Sequence, residues 1–235
     1  MSEEIINDNP EEYEDIPFKG MRKIIAANLV RSKAPVPHFY LVSEINMENI
    51  IKLRNQLNES QTEVKITFND MFIKLTGMTL KEYPSVTSHL IEDKIRKYKN
   101  IHIGFAVAIE DGLLVPVIKN CDKKTIAEIA IESKELLEKA KSKKLRRHEM
   151  TSAVFTISNL GMYDIDHFSA IINPPESAIL AVGSIIKKPV VINDKIEIRN
   201  RMKVTLSCDH RIVDGATGAE FLKTLKFNFE NTNGI

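Results

Sequence analysis

The chain has no tryptophan and only two cysteines in 235 residues. Cys121 and Cys208 are far apart and too few for a disulfide framework, which excludes the small stapled folds of secreted proteins. They suggest a reducing compartment, the cytoplasm or, in a eukaryotic source, the mitochondrial matrix. No charge of one sign dominates. Thirty-three basic against thirty-two acidic side chains leave a formal +1, so nothing steers the chain towards nucleic acid or an anionic membrane surface. No apolar run approaches the roughly 18 residues of a membrane span, and "MSEEIINDNPEEYEDI" is too acidic for a signal peptide. Internal repeats and low-complexity tracts are missing too. His38, His89, His102, His148 and His167 lack any metal-ligand spacing such as His-Glu-x-x-His, so no metal is expected.

What the chain has is an ordinary soluble composition, 43% hydrophobic and 28% charged, enough for a sizeable core. Residues 1–15 carry acidic side chains and no basic one, and read as a flexible arm or linker remnant; 16–235 read as one domain. "GMRKIIAANLVRSK" has helical spacing and ends at Pro35. "HFYLVSEI" reads as a strand, with Asn46 as N-cap of a helix over 47–58, and a further helix covers 68–82. "IHIGFAVAIEDGLLVPVI" reads as a buried hairpin turning at Asp111-Gly112, and "TIAEIAIESKELLEKAKSKKL" as a long amphipathic helix with a solvated lysine face. From "SAVFTIS" through "KVTLSCD" the pattern is one of short strands, and a last helix follows Asp214. With no repeated strand-helix-strand unit, the expected architecture is a two-layer α/β (α+β) fold, a mixed β-sheet backed by helices.

The stretch "SCDHRIVDGATG" carries the most chemistry. Val204, Leu206 and Cys208 share one strand face, and alternation places His210 on it, aimed inward. An imidazole can take and return a proton near neutral pH, so His210 is a candidate general base or, equally, a satisfied core histidine. Asp214 either steadies the turn or simply caps the next helix. Gly215 permits a positive φ or a close backbone approach. Cys208 as a nucleophile is disfavoured, because two positions along a strand is about 7 Å, beyond hydrogen-bond reach of His210.

"DHRIVDG" resembles the signature of the catalytic domain of dihydrolipoamide acyltransferases, the core components of 2-oxoacid dehydrogenase complexes, with a chloramphenicol acetyltransferase-like fold. The resemblance extends through "FKGMRKIIAANLVRSKAPVPHF", "HIGFAVAIEDGLLVPVIKNCDKKT", "FTISNLG" and "FSAIINPPESAILAVG", over about residues 16 to 231. It implies acyl transfer between dihydrolipoamide and coenzyme A, both substrates, with no cofactor bound in this domain. By resemblance His210 is the base that deprotonates the attacking thiol, Ser158 donates to the oxyanion, and Asp214 pairs with Arg22 of the opening helix. Gly215 supports the turn, and Ser169 is a candidate substrate contact. On the residues alone Ser158 merely ends a strand. The family forms homotrimers in which His210 and Ser158 would meet across subunits, and the trimers build hollow cages. Phe227, Phe229 and Ile235 are candidates for the contact between trimers. Lipoyl domains and the 2-oxoacid decarboxylase and dihydrolipoamide dehydrogenase components are the implied partners. Acetyl is the favoured acyl group over succinyl or branched chains, and a catalytically silent cage is the alternative function.

Overall fold

The computed structural model describes residues 13–60, 63–110 and 112–232, so most of the acidic arm lies outside the described residues. In chain order the elements are α1 (Met21–Lys33), β1 (His38–Asn46), α2 (Glu48–Ser60), α3 (Phe68–Leu80), β2 (His89–Ile91), β3 (Lys94–Arg96), β4 (Ile103–Phe105), β5 (Val107–Ile109), β6 (Gly112–Leu114), β7 (Val117–Ile118), α4 (Ile126–Lys141), β8 (Phe155–Asn159), β9 (Ala178–Ile192), β10 (Lys195–Asp209) and α5 (Gly215–Asn231). The helices start where local chemistry starts them. Thr67 with Asp70 and Thr125 with Glu128 form capping boxes at α3 and α4, and Asn46 Oδ1 accepts from Glu48 N–H at 3.2 Å. None of the described helices is long and apolar enough to cross a membrane.

The main sheet runs β1-β10-β9-β8-β4-β7, mixed as expected: β8 is parallel to β4 and β9, and the other pairs are antiparallel. Register sorts the residues into two faces. Leu41, Leu206, Leu180 and Ile157 stand in one row across four strands, part of a core shared with Phe72, Phe221 and Phe229. Helix α5 lies over β1 and β10, and its close approach needs Gly218, where an added Cβ would sit 2.9 Å from Leu41 Cδ1. The next row, Val42, Thr205, Ala181 and Ser158, therefore points to the face opposite the helices. Part of that face is covered by the long connection from β8 to β9, where Ser207 Oγ donates to the Ala170 carbonyl at 2.7 Å.

Two expectations need correction. The series of short strands between residues 178 and 209 is two 15-residue strands joined through Asn193 and Asp194, both at positive φ (49° and 60°), which suits a tight hairpin. Pro189 did not break β9, because pairing with β8 ends at Val182 and the proline sits on a free edge. Asp111, expected at the hairpin turn, lies outside the described residues, and the flanking strands are not buried throughout: β4 and β7 join the main sheet, whereas β5 and β6 form a separate ribbon with Leu113 exposed.

Candidate active site

His210 does not continue the strand. β10 stops at Asp209, whose carbonyl accepts from Ile212 N–H (3.0 Å) and Val213 N–H (2.9 Å), and the backbone turns. The inward-facing imidazole expected from alternation is thus corrected: in the single chain His210 is exposed, its ring centroid 4.6 Å from that of Phe39 and its N–H donating to the Pro37 carbonyl at 3.1 Å. The cause is Asp209, which the sequence reading passed over. It is buried, its N–H donates to the Ser177 carbonyl at 2.8 Å, and its carboxylate takes Arg211 Nη2 at 2.7 Å and Nε at 3.0 and 3.2 Å. This forked ion pair, which also holds the Arg211 guanidinium above its ordinary pKa, clamps both neighbours of His210 and leaves the ring free.

Asp214 is the N-cap of α5, accepting from Thr217 N–H at 2.7 Å. That bond, with the Thr217 hydroxyl, lowers its pKa, and the charge of His210 adds a smaller pull in the same direction. The expected pairing with Arg22 is not formed within one chain, since Asp214 spends its carboxylate on the helix start. Gly215 likewise departs from expectation. It has no positive φ, and an added Cβ would meet nothing within 4 Å, because the cap on Asp214 lets the next residue enter the helix normally.

Ser158 lies half-buried near the end of β8, on the face the helices leave open. Ser169 is exposed in the β8–β9 connection. Ser158 sits level with Thr205, two strands away, and His210 follows Asp209, four residues further along β10. Two strand spacings of about 4.8 Å and four residues of about 3.3 Å put the backbone of Ser158 ~16 Å from that of Asp209, the neighbour of His210. One chain does not bring the two groups together.

Cys208 is buried, and desolvation, aided by the Asp209 charge, pushes its thiol up to about 12, so it stays protonated and packs as a small apolar group. Phe229, offered as an outer contact, is in the core with its ring 5.4 Å from Phe72; Phe227 is exposed, and Ile235 lies outside the described residues. Glu176 was also missed. Buried at the foot of β9, its Oε1 accepts from Thr156 Oγ1 and Asn173 Nδ2, each at 2.9 Å, and burial pushes its carboxyl up to about 8. A lone acid between two prolines and a buried strand was the available signal.

Residues 10–235 match the model of the 2-oxoacid dehydrogenases acyltransferase (catalytic domain) family. The chain belongs to this family. It is 48% identical over 225 residues to the dihydrolipoyllysine-residue acetyltransferase component of the pyruvate dehydrogenase complex of Rickettsia felis, covering 94% of this chain and 55% of that protein. The chain thus spans about half the length of the curated relatives it matches. Among solved structures, the cubic core of the pyruvate dehydrogenase multienzyme complex superposes with a TM-score of 0.92 at 35% identity, covering 98% of this chain and 97% of the other. The Azotobacter vinelandii dihydrolipoamide acetyltransferase, solved to probe a serine, a histidine and an asparagine in its catalytic mechanism, gives 0.91 at 36%, covering 94% and 93%. A chloramphenicol acetyltransferase superposes at 0.57 with 14% identity over 92% of this chain and 98% of that one, which bears out the expected fold.

Proposed function

We propose that this domain transfers an acyl group, acetyl by preference, between dihydrolipoamide and coenzyme A, in a homotrimer built into the hollow core of a 2-oxoacid dehydrogenase complex. The observation that carries the reading is one of spacing. In the Azotobacter vinelandii enzyme the serine and histidine are separated by the same 52 positions as Ser158 and His210, and its asparagine follows the histidine by the same four that separate His210 from Asp214. Here an aspartate stands in the asparagine's place, and either side chain can accept from a helix N–H.

His210, unburied on a rigid turn, takes the proton of the incoming thiol, and the thiolate attacks the thioester carbonyl. The carbonyl π-pair moves onto oxygen, where Ser158 Oγ–H donates to the oxyanion. Collapse re-forms the carbonyl, breaks the original C–S bond and expels the second thiolate, which recovers the proton from the imidazolium. One thioester replaces another with no change of oxidation state, so the chemistry calls for no resident metal or redox cofactor. With the backbone of Ser158 ~16 Å from that of Asp209 in one chain, the two groups act across a subunit boundary, the histidine of one copy facing the serine of the next. Lipoyl domains supply the dihydrolipoamide, and 2-oxoacid decarboxylase and dihydrolipoamide dehydrogenase components are the partners. The setting is the cytoplasm or the mitochondrial matrix, and relatives include mitochondrial proteins.

Thioester formation from acetyl-coenzyme A and dihydrolipoamide tests the reading. Saturable turnover is expected, with acetyl preferred in a panel of acyl donors. No turnover by an intact oligomer would favour a silent scaffold.

A further inference from the structure

One buried acid, Glu176, lies in the segment that touches both the strand of Ser158 and the turn of His210. Thr156, two residues before Ser158 and on the same strand face, donates to Glu176 Oε1 at 2.9 Å, and Asn173 Nδ2 donates to the same oxygen at 2.9 Å. The next residue, Ser177, accepts from Asp209 N–H at 2.8 Å through its carbonyl, and its hydroxyl donates to the Val86 carbonyl at 2.9 Å. Asp209 in turn grips Arg211 across His210. Two consecutive residues, Glu176 and Ser177, thereby join the serine's strand to the histidine's turn.

Resting on the acyl-transfer reading, we propose that Glu176 is a positioning residue: its carboxyl locks β8, and with it Ser158, to the segment that carries the His210 turn. The two donors on Oε1 favour an ionised form, but desolvation by burial outweighs them. Oε2 is buried without a partner. His89, bridged to Glu176 by an antiparallel backbone contact that puts their Cβ atoms about 5 Å apart, also lacks a partner for either ring nitrogen; burial and the Arg96 charge depress its pKa to about 4. Glu176 also lines a cavity of about 170 Å³ whose charged lining groups are Arg31, Asp209 and Arg211, the last two paired with each other. Ionising Glu176 would pull Arg211 off Asp209 or draw water against Thr156, and either shift loosens both half-sites.

The test compares wild type with Glu176→Leu and Glu176→Gln by steady-state kinetics and by hydrogen exchange of segments 155–160 and 207–213. Glu176→Leu should lower kcat about 10- to 100-fold with KM nearly unchanged, since misplacing groups by even 1 Å is that costly. Glu176→Gln should restore most of the loss. Wild type should lose turnover above pH about 8 and show faster exchange in both segments there, after correction for intrinsic rates, while Glu176→Gln does neither. Superimposable pH profiles and exchange for wild type and Glu176→Gln, or wild-type kcat in a folded, native-sized Glu176→Leu oligomer, would overturn the proposal. If wild type itself shows no acyl transfer, that reading fails, and the exchange comparison alone decides this one.

Discussion

The separation of Ser158 from His210 is open to a direct trial by complementation. Ser158→Ala and His210→Ala chains are co-expressed at equal levels so that trimers assemble at random. Each variant alone should be nearly dead, since losing the oxyanion donor costs about 10²- to 10³-fold and losing the base about 10²- to 10⁴-fold. With the backbone of Ser158 ~16 Å from that of Asp209 within one chain, a site on the proposed reading needs the histidine of one copy and the serine of the next. In a closed three-fold ring each of the three boundaries pairs one histidine with one serine, and at random a boundary draws a functional histidine half the time and a functional serine half the time. About three quarters of the trimers are mixed, each with a single working boundary, so the mixture should recover about a quarter of wild-type activity. The assay is acetyl transfer to dihydrolipoamide at fixed total protein, with size confirmed by light scattering. If both groups acted within one chain, every subunit would lack one of them. A mixture no more active than its parents would therefore refute the geometry.

Glu176 couples folding to protons. Its folded pKa is raised, about 8 against the 4.5 of an ordinary carboxylate, so its stabilisation is complete below pH 4.5 and is lost as pH rises to about 8. Between pH 5 and pH 9 wild type should lose up to about 4 kcal/mol more than Glu176→Gln, in urea titrations at one protein concentration; parallel losses would refute this. Asp214→Asn should keep the α5 cap and most turnover, whereas Asp214→Leu should lower both melting temperature and kcat; equal kinetics for the two would remove Asp214 from the site. Cys208→Ala should cost about 1 kcal/mol of stability but leave turnover within a few-fold, and total loss of turnover in a folded protein would restore a nucleophilic role. Gly215→Ala should hold or raise thermal stability by about 0.4–1 kcal/mol, because no close contact and no positive φ oppose it; a fall would show that another subunit presses on that Cα.

Helices α3, α4 and α5 were legible because each carries its own start signal, such as Thr125 with Glu128, and apolar residues that a neighbouring layer covers. The long β9–β10 ribbon was harder to read, since Pro189 and Asn193-Asp194 look alike as breaks in a sequence although one lies on a free edge and the other makes the turn. Alternation placed the His210 ring wrongly because it assumes that the strand continues. The strand ended one residue early, at a buried Asp209 whose partner, Arg211, sits across the histidine. Glu176 escaped notice since its contacts lie 20 residues back and its burial comes from the fold, neither of which a local pattern encodes.

On the proposed reading each chain carries two incomplete half-sites at different places on one sheet, and that separation has an energetic consequence. A dissociated subunit keeps its exposed His210 and half-buried Ser158, yet neither can serve the other's carbonyl, so it forfeits the contributions of base and oxyanion donor together. Activity then follows the population of assembled boundaries and should fall with dilution wherever trimers dissociate, even while every chain stays folded. On the proposed reading an acyl thioester would thus be processed only inside the assembly, and His210 would stay inert on any stray subunit.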